Sequence, residues 1–134
     1  MMQLTQKIRI EPSPSQEIVL EALSEKCRLI YNFALSERKK AFEQGINGIN
    51  YVKQQNDLPM LKKQYPEYSW VYSRTLQHIL RTLDANYKSF FALSKKGDKD
   101  ANVPKFRGKN YFTTMTYNQS GFKVGEGWIE LSHK

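Results

Sequence analysis

Residues 73–88, SRTLQHILRTLDANYK, set Arg74, His78, Arg81 and Lys88 at i, i+4, i+7 and i+14, so a helix here carries all four on one face. Ser73 opens the stretch, and Gln77 lies one turn before Arg81. Guanidinium and ammonium groups bind phosphate oxygens, and an amide among them can read a base edge. Such a ridge suits a helix lying along nucleic acid; an ordinary solvated face is the bland alternative. A second candidate is PKFRGK at 104–109, where Lys105, Arg107 and Lys109 interleave with Phe106 and Gly108. Cationic heads there can meet phosphates while the ring stacks on a base, although runs of charge also occur in plain solvated loops. The stretch CRLIYNFALSERKKAF holds Arg28, Arg38, Lys39 and Lys40, and Tyr31 and Asn32 interrupt its hydrophobic pattern. An Asn inside a helix is unfavourable by roughly a few tenths of a kcal/mol, so Asn32 is expected to bond a neighbouring segment or face a ligand, the structural role being the better reading.

Catalytic chemistry is poorly provided for. His78 and His133 stand far apart in sequence, outside any H-x-H or H-E-x-x-H spacing. Metal-dependent cleavage needs several carboxylates converging on one site. Glu17, Glu21, Glu25, Glu37 and Glu43 instead read as scattered points on polar helix faces. The single cysteine, Cys27, sits among Leu23, Leu29 and Ile30 and reads as a small buried hydrophobe. No metal, no cofactor and no enzyme activity are expected of this chain by itself.

Twenty-one Lys and Arg against thirteen Asp and Glu give a net charge of +8, which favours polyanionic partners, nucleic acid before membrane surface. No run approaches the ~20 apolar residues that cross a bilayer, and the N-terminus lacks a signal-peptide pattern. The chain reads as intracellular, in the cytoplasm and associated with the nucleoid.

The elements that must position these residues follow from periodicity. QLTQKIRI at 3–10 alternates like a strand. Ser13, Pro14 and Gln16 supply an N-cap, a first helical position and a capping box. The helical pattern that follows runs to a stop at Gly45 and is long enough to predict a break near Glu25–Lys26. GINGIN reads as a turn, 51–64 as weakly helical with a second start at Asp57 and Pro59, and YPEYSW as a loop. The strongest helix is predicted from Val71 to Lys95, ended by Gly97. Strand character returns at YFTTMTY, GFKV and WIEL, the last two joined by a Gly-Glu-Gly turn. The predicted fold is α+β: a helical bundle inserted between an N-terminal strand and C-terminal antiparallel strands of a small, incomplete barrel. Its units are a first strand at 1–12, a helical lobe at 13–97, a basic connector at 98–110 and returning strands at 111–134.

The ordered blocks KIRIEPSPSQ, CRLIYNFAL, YSRTLQHILRTLDANYKSFF, PKFRGK and GFKV…GWIEL resemble the N-terminal region of the TnpB (OrfB) insertion-sequence proteins, relatives of type V CRISPR nucleases. The likeness runs through nearly the whole chain. It implies a helix-turn-helix recognition lobe set into a wedge domain that grips a structured guide RNA and reads a short DNA motif beside the target. By position, the helix with Ser73, Gln77 and Arg81 resembles the one that approaches this motif. The connector and the strand with Thr113, Thr114 and Thr116 look like the return into the wedge, with backbone contacts. Arg28, Arg74, Lys88, Lys105, Phe106, Arg107, Lys109, Thr114 and Lys123 complete the expected nucleic-acid surface. Family members continue into a metal-dependent nuclease domain, and this sequence ends within the implied wedge. The expectation is therefore a binding module, a fragment or a truncated gene product. The alternatives are a scaffold piece that docks on the nuclease domain and a stand-alone DNA-binding regulator.

Overall fold

The computed structural model describes residues 9–46, 48–109 and 111–132. Helix α1 spans Pro14–Glu43, α2 spans Tyr51–Gln64 and α3 spans Ser73–Lys95. Short 3-10 turns lie at Pro66–Trp70 and Gln119–Gly121, and strands β1 (Phe122–Gly125) and β2 (Trp128–Leu131) close the order. The class is α+β, as expected.

Helix α1 starts where its caps place it. The Ser13 hydroxyl accepts from the Gln16 amide, the Gln16 side chain returns the bond to the Ser13 N–H, and Pro14 takes the first position. Gln44 caps the far end, and Gly45 follows at φ 69°. The break expected at Glu25–Lys26 is absent, because nothing there opposes the helix. Leu23, Cys27, Ile30 and Ala34 keep their 3–4 spacing through it, and Arg28 pairs with Glu25 one turn back. Helix α2 also corrects the prediction: Asn50 caps it by accepting from the Lys53 amide, and Pro59 lies within the helix rather than starting a new one. The predicted loop at YPEYSW is a 3-10 turn from Pro66 to Trp70.

The core is where α1 meets α3, with α2 closing one side. Leu23, Ile30 and Leu35 pack with Leu76, Ile79, Leu80 and Leu83, joined by Leu58 and Val71. Two polar groups tie the three helices together inside this core. Gln54 donates to the Ala34 carbonyl at 2.9 Å, and Arg38 donates to Gln54 and to Asp84 at 3.0 and 2.9 Å. Burial raises the pKa of Asp84, but the bonds from Arg38 and Lys88 outweigh it and hold the carboxyl below its ordinary value. Cys27 is buried as expected, and desolvation pushes its thiol up to about 12.

The strand predicted at YFTTMTY does not form. Residues 111–118 run extended across the helices, and helix side chains take the backbone bonds that a neighbouring strand would have taken. The Ser24 hydroxyl donates to the Thr113 carbonyl at 3.0 Å and accepts from its amide at 2.7 Å, and Thr75 donates to the Thr116 carbonyl at 2.8 Å. The predicted hairpin is present. Phe122 pairs with Leu131 and Gly125 with Trp128, around a turn in which Gly127 has φ 77°. The Trp128 indole lies over Gly125 so closely that a Cβ there would overlap the ring. Among the described residues the sheet has these two strands, so the expected barrel is not formed by them. The N-terminal strand expected at 3–10 falls at residues 3–8 outside the described residues, and 9–10 are not in a strand.

Candidate nucleic-acid interface

The polar face of α3 faces a groove of about 190 Å³. Arg74, Gln77, His78 and Arg81 line it from the helix, Tyr51 from the start of α2, and Thr116 and Asn118 from the extended return. The amphipathic spacing of α3 makes this possible: Leu76, Ile79, Leu80 and Leu83 anchor one side, which turns the arginines outward. Arg81 lies over the Tyr51 ring with its guanidinium carbon 5.1 Å from the centroid, and donates to the Tyr51 hydroxyl at 3.4 Å. Among the described residues no carboxylate pairs with Arg74 or Arg81. The groove therefore holds two guanidiniums, two amides, an imidazole and two hydroxyls, a set that can bind phosphate oxygens and reach a base edge together.

The wall opposite α3 is held firmly. Tyr72 stacks on Tyr117 with ring centroids 5.7 Å apart, and its hydroxyl bonds to Asn118 and Ser120 at 2.6 and 2.5 Å. Gly121 packs under the Tyr72 ring, where a Cβ would collide with it. Asn118 thus enters the groove from a pinned position.

The other expected site residues divide into two sets. Lys88 lies further along the same face, exposed and ion-paired with Asp84 at 3.1 Å. Ser73 accepts from the Lys62 ammonium at 2.9 Å at the start of α3. Thr114 is exposed, whereas Thr113, implied as a contact, is fully buried and serves the packing instead. Lys123 is exposed on β1, across from Glu130.

Arg28 departs from the expected role. Its guanidinium is bound to both Glu25 carboxylate oxygens and donates to the Arg107 carbonyl at 3.0 Å. That hydrogen bonding holds Glu25 below its ordinary pKa and spends the arginine on structure. Asn32 resolves as the structural alternative. Its side-chain amide donates to the Arg107 carbonyl and accepts from the Arg107 amide, both at 2.9 Å. The connector is thereby clamped along α1. Arg107 sits between Tyr31 and Tyr111, 3.8 and 5.1 Å from the ring centroids. Phe106 takes the Lys39 ammonium on its face at 4.7 Å, and Lys105 and Lys109 stay exposed.

Two groove residues escaped sequence reading, Tyr51 and Asn118. Tyr51 is the first residue of α2 and Asn118 directly precedes the 3-10 turn at Gln119–Gly121, and only the packing of these segments against α3 brings them together. Among the described residues no group of three or more His, Cys, Asp or Glu could hold a metal ion, and no helix is long and apolar enough to cross a membrane.

Fold and groove together define a helical, cation-faced domain with an appended hairpin. Residues 1–47 match the family model of a helix-turn-helix domain, HTH_OrfB_IS605. The match supports the relationship read from the motifs, an N-terminal helix-turn-helix domain of the TnpB/OrfB insertion-sequence family. Within the matched residues, the described structure holds α1 and the turn after it, and the next helix begins at Tyr51. No curated protein matches the chain.

Proposed function

We propose that this chain is the nucleic-acid-binding part of a transposase-related, TnpB-like protein, and that the α3 groove makes its DNA contact. One observation carries the reading: Arg74, Gln77, His78 and Arg81 meet Tyr51, Thr116 and Asn118 in a single groove whose lining includes no carboxylate. The helix-turn-helix match over residues 1–47 supports DNA as the ligand. In the finer form of the proposal, the groove reads a short duplex motif beside a target and the basic connector meets a structured guide RNA. Cleavage chemistry is then the work of a nuclease domain other than this one, and the module acts in the cytoplasm at the nucleoid.

The test is duplex binding by fluorescence anisotropy across a salt series. Log K is expected to fall with log salt by about 0.9 per phosphate neutralised. Arg74→Glu with Arg81→Glu should weaken binding and flatten that slope. Unchanged affinity in this variant, with the fold intact by circular dichroism, overturns the groove assignment.

A second reading, a scaffold that docks on a nuclease domain, has one observation in its favour. The hairpin leaves Val124 69%, Trp128 54% and Ile129 41% exposed. Sedimentation of the purified chain separates the two, because a large apolar docking face promotes self-association and a nucleic-acid face does not.

A further inference from the structure

We propose that the connector is a second, separate binding site, a stacking platform for single-stranded nucleic acid. The inference rests on the nucleic-acid reading above and deepens its assignment of the connector to RNA, naming an unpaired strand as the form of ligand this surface takes. Within seven residues of chain, Phe106, Tyr111 and Phe112 leave 52%, 54% and 56% of their surface in solvent. Three large rings exposed within one short stretch of chain offer flat apolar faces to a ligand.

Their surroundings point to what that is. Residues 101–125 contain Lys105, Arg107, Lys109 and Lys123 and no Asp or Glu. Two of the rings already carry a cation on one face, Phe106 from Lys39 at 4.7 Å and Tyr111 from Arg107 at 5.1 Å. A base stacked on either ring would have positive charge nearby for its phosphate. An apolar protein partner gains nothing from that charge, whereas a polyanion with flat, unstacked bases uses both features. A duplex keeps its bases stacked on one another and offers none to these rings, so the ligand is a single strand.

The platform is also anchored to the helices. Its two ends are fixed to α1, at Arg107 by Asn32 and Arg28 and at Thr113 by Ser24. Phe106 adjoins the first of these anchors and Phe112 the second, so binding has less chain to order there, which lowers the entropy cost of association. The α3 groove is lined by none of these residues, so the two sites are separable.

The experiment uses the full chain with two labelled probes, a short oligothymidine and a hairpin duplex, in anisotropy titrations at fixed salt. Phe106→Leu combined with Tyr111→Leu keeps apolar bulk and removes both rings. Oligothymidine affinity is expected to fall about tenfold per ring, with duplex affinity unchanged. Arg74→Ala with Arg81→Ala should show the reverse. Equal loss on both probes, or no loss on oligothymidine, overturns the proposal. Should the ring variant unfold, photo-crosslinking of a halogenated oligothymidine to the parent chain gives an independent answer. Adducts at Phe106, Tyr111 or Phe112 support the platform, and adducts confined to the α3 groove overturn it. If neither probe binds the parent, the underlying nucleic-acid reading has failed; duplex binding without oligothymidine binding defeats the platform alone.

Discussion

Arg38 and Arg81 are both guanidiniums laid over a tyrosine, 5.2 Å from the centroid of Tyr87 and 5.1 Å from that of Tyr51. Their surroundings make them opposites. Arg38 keeps 9% of its side-chain surface, bonds to Asp84 and Gln54, and joins three helices. Arg81 is exposed at the rim of a groove and meets no carboxylate among the described residues. A charge neutralised inside the fold cannot be offered to a ligand, and a charge left unpaired at the surface adds little to stability. The +8 of the chain is therefore not one quantity. Part of the positive charge holds the helices and the connector together, and another part is available to a polyanion.

The largest expected effect breaks the buried side of this comparison. Asp84→Ala leaves Arg38 without its carboxylate and should destabilise the chain by about 2–3 kcal/mol, somewhat below a fully enclosed pair because Asp84 retains some solvent contact. Urea denaturation reads this directly. The same residue sets an acid limb. Its pKa is lowered in the fold, so its contribution is present above the unfolded value and is lost as pH falls through the folded one. Asp84→Asn should remove that part of the pH dependence below about pH 4, a result that a stability-against-pH profile would reveal.

A smaller effect is expected at Asn32. Replacing it with Ala deletes both bonds to Arg107 but gains helix propensity, for a net loss of about 1 kcal/mol. Hydrogen exchange at the Arg107 amide should accelerate well beyond the change in global stability, because the clamp is local. An amide that stays as protected as before would show that Arg28 alone holds the connector.

The smallest effect on stability tests the exposed side. Arg81→Ala should change the unfolding free energy by no more than about 0.5 kcal/mol, while reducing the salt slope of duplex binding by about 1. A large stability loss here would place Arg81 with Arg38 and dissolve the distinction between them.

Much of the architecture was legible because it depends on short-range rules. Ser13, Pro14 and Gln16 announced the start of α1, Gly97 the end of α3, and Gly125 to Gly127 the hairpin turn. The ridge of Arg74, His78 and Arg81 was legible for the same reason, since helical period alone puts them on one face. The errors arose where one segment answers another. YFTTMTY has strand composition, yet Ser24 and Thr75 supply its hydrogen bonds from helices distant in sequence, so no ladder is needed. Arg28 had the composition of a phosphate ligand, and Glu25 with the Arg107 carbonyl claimed it.

The sequence by itself determined the sign of the charge, and also the capped start of α1, the end of α3 and the hairpin, because each of these three is set by residues within a few positions of one another. Only the tertiary structure decided which cations remain available, since pairing depends on which side chains meet across the fold. It also decided that Tyr51, Arg81 and Asn118 share one groove, because segments separated by 30 or more residues must pack before a site between them exists.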